Sequence, residues 1–532
     1  MYNNYTPLQQ RQLALQEYSN TQSTYLLVCA SARSTALKAT LTDQLHRKFR
    51  LVDRLDGELT ASVDGVLLAA EDVELMSTAL MYFAKALQDG ADYVVCNAVF
   101  GFGGATALYQ SQPLQAQNRC AVVSRTLLER CRAAAHDPEN VPELLALAAQ
   151  LCTKPTLIPQ ALLHYERGIC AEDAFSAHGK RAFIMSHVLD MTGAPIVLVS
   201  AVPVLRSMGY EVLVLGPSDG GSLHLFLDAG ASVITRSSCR NVSDAWGMAL
   251  CADFVIANTV VMARAVRALS GTAVPVLWWL HDAFAGYPHI AHQIPRELGE
   301  NIRLYSVGSH AANAMHSVRP EFNIRPLIYG LPDYAAEKFS HYDLSYAGGR
   351  PLFATVGSFE NRKGQDIFCK AIRLLPPETM KKASFLFVGK AAEAEMMDAV
   401  RSLTADCPDN VFYVKRLTRD EIKSLMAQCT CLVCASRDDP MPTFVTEGLI
   451  FGKPAIVSEH TGTAGLITEG VDGFVYEDDD PEKLAERLAW AIEHPEKLAA
   501  MRPACRELYE SHYSKQAFSD SLQQAVKELT GE

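Results

Sequence analysis

No run in this chain approaches the roughly 18–20 consecutive apolar residues that a membrane-spanning helix needs, so a helical membrane protein is not expected. Positive charge is also short: 48 Lys and Arg stand against 60 Asp and Glu, a net charge of -12. General binding to nucleic acid needs an excess of cations to neutralise phosphates, and is excluded on that ground. The opening residues Met1–Leu13 have neither the basic nor the apolar part of a secretory leader. Cys431 and Cys434 form C-x-x-C, but no second pair accompanies them and they lie in a strand-like run, which argues against a metal or redox use. Most of the 14 cysteines, Cys29, Cys96 and Cys251 among them, sit in apolar segments. They read as reduced thiols of a cytoplasmic protein.

What is present is a globular composition, 49% hydrophobic and 20% charged, with mean hydropathy +0.03. At 532 residues the chain is too long for one core and suggests about three domains. After a polar, Gln-rich tail at residues 1–20, short apolar runs alternate with helical periodicity, the pattern of an α/β layer. Tyr25–Cys29, Gly65–Leu68, Tyr93–Val95 and Cys120–Val123 are expected strands, and Glu74–Gln88 an expected helix. Further on, Glu211–Gly216, Phe254–Ala257, Val274–Leu280 and Ile302–Val307 are expected strands, and Ile196–Met208 an expected helix. The expected divisions are 21–176, 177–332 and 333–532. Asp480-Pro481-Glu482 carries a helix start: an Asp cap, Pro in the first turn and an acid at the positive end. The run Asp478–Asp480 therefore reads as a capped turn and not as a metal site.

Two segments carry the chemistry. Gly357-Ser358-Phe359-Glu360-Asn361-Arg362-Lys363-Gly364 follows the apolar run Pro351–Val356. Asp438-Asp439-Pro440-Met441-Pro442-Thr443-Phe444-Val445-Thr446-Glu447-Gly448 follows Cys431–Ala435. Each reads as strand, loop and helix, and ligands of open parallel sheets sit at the carboxyl ends of the strands. One loop offers cations and glycines, suited to a diphosphate. The other offers Asp439 and Glu447, suited to sugar or ribose hydroxyls because ionised acids only accept hydrogen bonds. The combination describes a nucleotide-sugar site.

At Gly357, Lys363-Gly364, Asp439 and Glu447, and in the continuations Glu447–Ser458 and Gly470–Val475, the chain resembles the retaining glycosyltransferases of family 4. The resemblance runs from roughly Arg181 to the C-terminus. It implies a GT-B fold of two facing Rossmann-like domains with parallel sheets, in which the last helices, about Pro495–Leu529, cross back over the cleft. It also implies a metal-independent transfer with no cofactor beyond the nucleotide-diphosphate sugar itself. Lys363 and Arg362 would hold the leaving diphosphate, and His281, which ends a strand, would face the donor sugar near the reacting carbon. Gly193 and Ser358 would lie against the donor, with Ser358 standing where the family commonly has Arg. Asp439, where the family usually has Glu, would reach sugar hydroxyls, Thr443 and Phe444 would give backbone N–H groups, and Glu447 would bind the ribose. His187 is a weaker candidate of the same kind as His281.

Residues 21–176 faintly resemble a family 2 glycosyltransferase of the GT-A fold, at Gly65–Asp72, Ala91–Val95 and Leu157–Tyr165. The acidic cluster such enzymes use to hold a metal reads Ala69-Ala70-Glu71-Asp72 here, so this additional α/β domain is expected to be a degenerate relative used for interaction or acceptor placement. The expected partners are a nucleotide sugar and a glycan, lipid-linked or protein acceptor. The basic stretch His46–Arg50 leaves room for peripheral contact with the inner face of a membrane. The competing reading is a catalytically weak sugar- or glycoprotein-binding subunit of a glycosyltransferase complex.

Overall fold

The computed structural model describes residues 23–29, 34–41, 44, 46–55, 60–70, 73–101, 106–110, 120–165, 179–218, 220–236, 248–477 and 480–531. The expected tail 1–20, the pair Glu71 and Asp72, and Asp478 and Asp479 lie outside the described residues. By compactness the chain divides into Met1–Val255 and Ile256–Glu532.

The first unit contains strands β1 (Leu26–Cys29), β2 (Phe49–Val52), β3 (Gly65–Ala69), β4 (Glu74–Leu75), β5 (Tyr93–Gly101), β6 (Thr106–Gln110), β7 (Cys120–Ser124), β8 (Pro155–Tyr165), β9 (Lys180–Met185), β10 (Tyr210–Gly216) and β11 (Ser232–Arg236). Their order is β2-β1-β3-β7-β5-β6-β11-β10-β9, with β8 on β5 and β4 on β8. Direction changes along it. The pairs β1–β2, β1–β3, β10–β11 and β9–β10 are parallel, whereas β3–β7, β5–β7, β5–β6 and β6–β11 are antiparallel. Leu27, Val66, Leu68, Tyr93, Val95 and Val123 are fully buried against Leu127, Leu128, Leu144 and Leu145 of two helices, Arg125–Ala134 and Val141–Leu151. Those helices start on Ser124 and Asn140, each accepting a backbone N–H, the usual task of short polar caps.

Two helix expectations need correcting in this unit. Glu74–Gln88 is not one helix: Glu74 and Leu75 pair antiparallel with His164 and Leu163, and the helix begins only at Ala79. Leu75 fits helical spacing, but pairing with β8 overrides it. The other helix starts three residues early, at Gly193, because Pro195 falls in the first turn where no N–H is needed.

In the second unit, β12 (Phe254–Asn258), which straddles the division, β13 (Val276–Leu280), β14 (Ile302–Ser306) and β15 (Ile324–Pro326) lie in the order β15-β14-β13-β12. β13–β14 and β14–β15 are parallel. Trp278 and Trp279 of β13 are fully buried, and each indole N–H donates to a backbone carbonyl, that of Thr259 at 2.8 Å and of Leu327 at 2.9 Å. A buried indole needs such a partner.

A separate sheet is built from β16 (Leu352–Val356), β17 (Ser384–Val388), β18 (Val411–Val414), β19 (Cys431–Cys434), β20 (Ala455–Ser458) and β21 (Gly473–Tyr476), in the order β18-β17-β16-β19-β20-β21. Every pairing in it is parallel. Parallel sheets are covered on both faces, which is why β17, β19 and β20 read as unbroken buried runs. The Cys431 and Cys434 thiols are inside such a run, and burial pushes both up, Cys434 to about 11. They are core residues.

Asp480 accepts the Lys483 N–H at 3.0 Å and opens the helix Pro481–Glu493, as its sequence foretold. The last helix, Lys515–Thr530, lies on β13: Phe518 stacks on Trp279 with ring centroids 5.7 Å apart, and Glu528 pairs with Arg325. Leu331 is tied to the residues before this helix as well. Leu331 donates its N–H to Tyr513 O at 2.7 Å and accepts from the Tyr509 hydroxyl at 2.9 Å.

Candidate functional site

β16 and β19 are neighbours in register, Phe353 beside Cys431 and Ala354 beside Leu432. The loops leaving their carboxyl ends, 357–364 and 435–442, therefore emerge side by side. Their backbones touch: Arg437 N–H donates to Arg362 O at 2.8 Å. Gly364 makes this approach possible. Its φ is +63°, and a Cβ there would stand 1.8 Å from Ala435 O. Gly389 does the same on the other side, where a Cβ would stand 1.8 Å from Gly357 O.

Between the loops, Lys363 Nζ meets Asp439 Oδ2 at 2.6 Å, both side chains mostly buried. The sequence assigned these residues separate tasks, 76 positions apart; the structure joins them. Asp439 is held from behind, its N–H on His460 O at 3.1 Å and its carbonyl accepting from Gly462 N at 2.9 Å. Arg362 does not stand beside Lys363 as a second free cation. Its guanidinium donates to Asp438 O at 2.9 Å and to Glu360 Oε1 at 3.1 Å. Ser358, in the usual arginine place, donates its hydroxyl to the same Glu360 oxygen at 3.0 Å, and its carbonyl accepts from Gln365 at 2.7 Å.

Thr443 and Phe444 begin the helix Thr443–Ile450. First-turn amides have no acceptor inside their own helix. They present partial positive charge at the same strand edge. Glu447, further along this helix, is buried, and its Oε1 accepts from Arg419 at 2.5 Å. Burial raises the Glu447 carboxyl above its ordinary range, and Arg419 pulls the other way. Arg419 escaped the sequence reading. It opens the helix Arg419–Gln428 behind a complete capping box of Thr418 and Glu421. That box marks the helix start, and it gives no hint that Glu447 lies beside it. Tyr334 accepts from Arg419 at 3.0 Å and lies beneath it, 5.0 Å from guanidinium carbon to ring centre.

His281 follows β13 directly and lies against Trp279, ring centroids 4.7 Å apart. Next to it, Asp282 Oδ2 accepts the Val260 N–H at 2.6 Å. Burial lifts the Asp282 carboxyl to about 6, against the opposing hydrogen bonds from Val260 and His281. Just past the neighbouring β12, Thr259 has φ 72° and ψ 164°, a region reserved almost wholly for glycine. The strain is held by Thr259 N–H on Trp279 O at 2.8 Å and by the Trp278 indole on its carbonyl. Asn258 is fully buried, and its side-chain amide makes no hydrogen bond with the described residues.

Gly193 belongs to the first unit, where it begins the helix Gly193–Ser207. Nothing lies within 4 Å of where its Cβ would be, so this helix start faces open space. His187 follows β9 in the same unit and is half-buried.

Residues 178–314, which include Gly193 and His281, match the family model described as glycosyl-transferase family 4. Residues 338–508, which include Lys363, Asp439 and Glu447, match the one described as glycosyl transferases group 1. These two segments thus match glycosyltransferase family models, and a further α/β region precedes them. It is 26% identical over 144 residues to an uncharacterized glycosyltransferase of Methanocaldococcus jannaschii, covering 26% of this chain and 38% of that protein. It is also 26% identical over 201 residues to a glycogen synthase of Pseudomonas syringae, 37% of this chain and 39% of that one. The chain thus spans less than half the length of these curated relatives. Among solved structures, Anabaena HepE crystallised with UDP superposes with a TM-score of 0.54 at 17% identity, over 66% of this chain and 100% of HepE. HepE has also been solved with UDP-glucose.

Proposed function

We propose that the chain is a retaining, metal-independent glycosyltransferase that moves a sugar from a nucleotide-diphosphate sugar to a hydroxyl acceptor in glycan or glycoconjugate synthesis. The observation that carries this reading is the Lys363–Asp439 pair at the carboxyl edge of a parallel sheet, beside a helix start and the buried Glu447. In the reaction the bond from the anomeric carbon to the diphosphate oxygen breaks and a bond to the acceptor oxygen forms on the same face. The acceptor's proton goes to a phosphate oxygen. Lys363 exchanges its partner Asp439 for the diphosphate, whose charge grows as it leaves, so the cation acts most strongly in the transition state. Asp439, released, accepts from donor-sugar hydroxyls; Glu447 accepts from the ribose diol; Thr443 and Phe444 offer amides. Arg362 and Ser358 shape the diphosphate loop through Glu360. His281 orients the sugar.

The reading that competes is a sugar- or glycoprotein-binding subunit with little turnover. Its support is Ser358 in the usual arginine place, with its hydroxyl committed to Glu360. One experiment separates the two: thermal shift and nucleotide release with a panel of nucleotide sugars, with and without a metal chelator. Binding and slow hydrolysis indifferent to the chelator are expected. Binding without any turnover favours the subunit, and a strict metal requirement overturns the site.

A further inference from the structure

Asp438 and Asp439 are adjacent, yet they serve different partners. Asp439 faces Lys363. The Asp438 carboxylate reaches the turn that follows His281: Oδ1 accepts the Phe284 N–H at 3.1 Å and Oδ2 the Ala285 N–H at 2.9 Å. Oδ1 also accepts from His310 Nε2 at 2.7 Å. His310 is 4% exposed and the Asp438 side chain 14%. Phe284 and Ala285 open the short turn Phe284–Gly286, whose first amides have no acceptor of their own. Asp438 therefore caps that turn from more than 150 positions away. Burial pushes its carboxyl up, but these three donors outweigh it and hold the group below its usual range. The Phe284 ring edge packs on His310 at 5.1 Å, and His310 lies 5.9 Å from His460, whose carbonyl holds the Asp439 N–H. The Asp438 carbonyl completes the node by accepting from Arg362.

We propose that Asp438, seated by His310, is a positioning residue that locks the His281 turn to the loop bearing Asp439, so that sugar orientation and leaving-group stabilisation are set together. This rests on the glycosyl-transfer reading above. The lock makes a distinct demand: when it loosens, Lys363, Glu447 and the helix start still bind the donor. What fails is the alignment of the anomeric carbon, a loss in turnover and not in affinity.

The test uses the full chain with Asp438→Asn, His310→Ala and His310→Gln, and UDP-glucose as probe. Hydrogen exchange of the peptide spanning residues 281–288 is expected to accelerate by about tenfold or more in Asp438→Asn and His310→Ala. For the same two variants kcat for UDP-glucose hydrolysis is expected to fall by roughly tenfold, the loss of one charge-assisted hydrogen bond, with KM within about twofold. His310→Gln, which keeps a donor toward Asp438, is expected to restore both. Unchanged exchange in both variants, kcat and KM moving together, or His310→Gln as damaged as His310→Ala each overturns the proposal. Wild-type protein that neither binds nor hydrolyses the probe counts against the glycosyl-transfer reading instead, and exchange alone then decides the lock.

Discussion

The carboxyl edges of the two sheets in Ile256–Glu532 are built from different chemistry. On the six-stranded sheet, charge meets charge: Lys363 with Asp439, Arg419 with Glu447, Arg362 with Glu360. In the proposed reaction only the first pair opens to the diphosphate, while the Arg362–Glu360 pair shapes the loop. At β12 and β13 the polar groups are the Asn258 amide, the strained Thr259, His281 and an Asp282 whose carboxyl titrates near about 6. Under the proposed function the ionic edge meets the diphosphate and the other edge the sugar, whatever the sequence distance between their residues.

Four substitutions break or sharpen the contrast, the first three from largest effect to smallest and the fourth through pH. Lys363→Ala strikes the ionic edge at its centre. Turnover of the donor should fall by about 10²–10³-fold, the usual loss when one preorganised donor to a developing negative charge is removed, read as nucleotide release. Equal turnover would move the ionic role elsewhere. Gly364→Ala tests the backbone that brings the loops together. With φ at +63° and Ala435 O in the way, it should cost roughly 2–3 kcal/mol in urea unfolding. Thr259→Gly tests the other edge: relief of strain set against glycine's entropy should leave a gain of about 1 kcal/mol. A loss there means that packing of the Thr259 side chain outweighs the strain.

Asp282 tests the same edge through a pH response. Its carboxyl is lifted from the usual 3.8 to about 6 in the folded chain. The folded state thus binds a proton more tightly than the unfolded one. The resulting stability is fully present below the unfolded value and is lost as pH rises through about 6. Asp282→Asn should flatten the melting temperature between about pH 4 and about pH 7, and a slope identical to wild type would assign the titration to another group.

The sequence made the ionic edge legible and, of the other edge, little beyond His281, for physical reasons. Gly357–Gly364 and Asp439–Glu447 each form a local unit of strand, loop and helix start, so period and turn chemistry expose them. The Asp480 cap was read the same way. Arg419 beside Glu447, Lys363 on Asp439, and Asp438 under the turn at Phe284 are contacts between distant positions, and nothing local announces them. Thr259 is darker still. Only a backbone angle distinguishes it, and a threonine after an apolar run looks like any strand end. The start of the expected Glu74–Gln88 helix failed from the opposite cause, a local pattern overruled by the distant partners His164 and Leu163.

The stacking of Phe518 on Trp279 has a consequence for biogenesis. A ribosome adding roughly 5–20 residues per second makes the tryptophan well before its cover, an interval of about 10–50 s. Throughout that time one flank of β13 lacks its cover. A pause in translation late in the message would prolong the exposure of a region already finished hundreds of codons earlier.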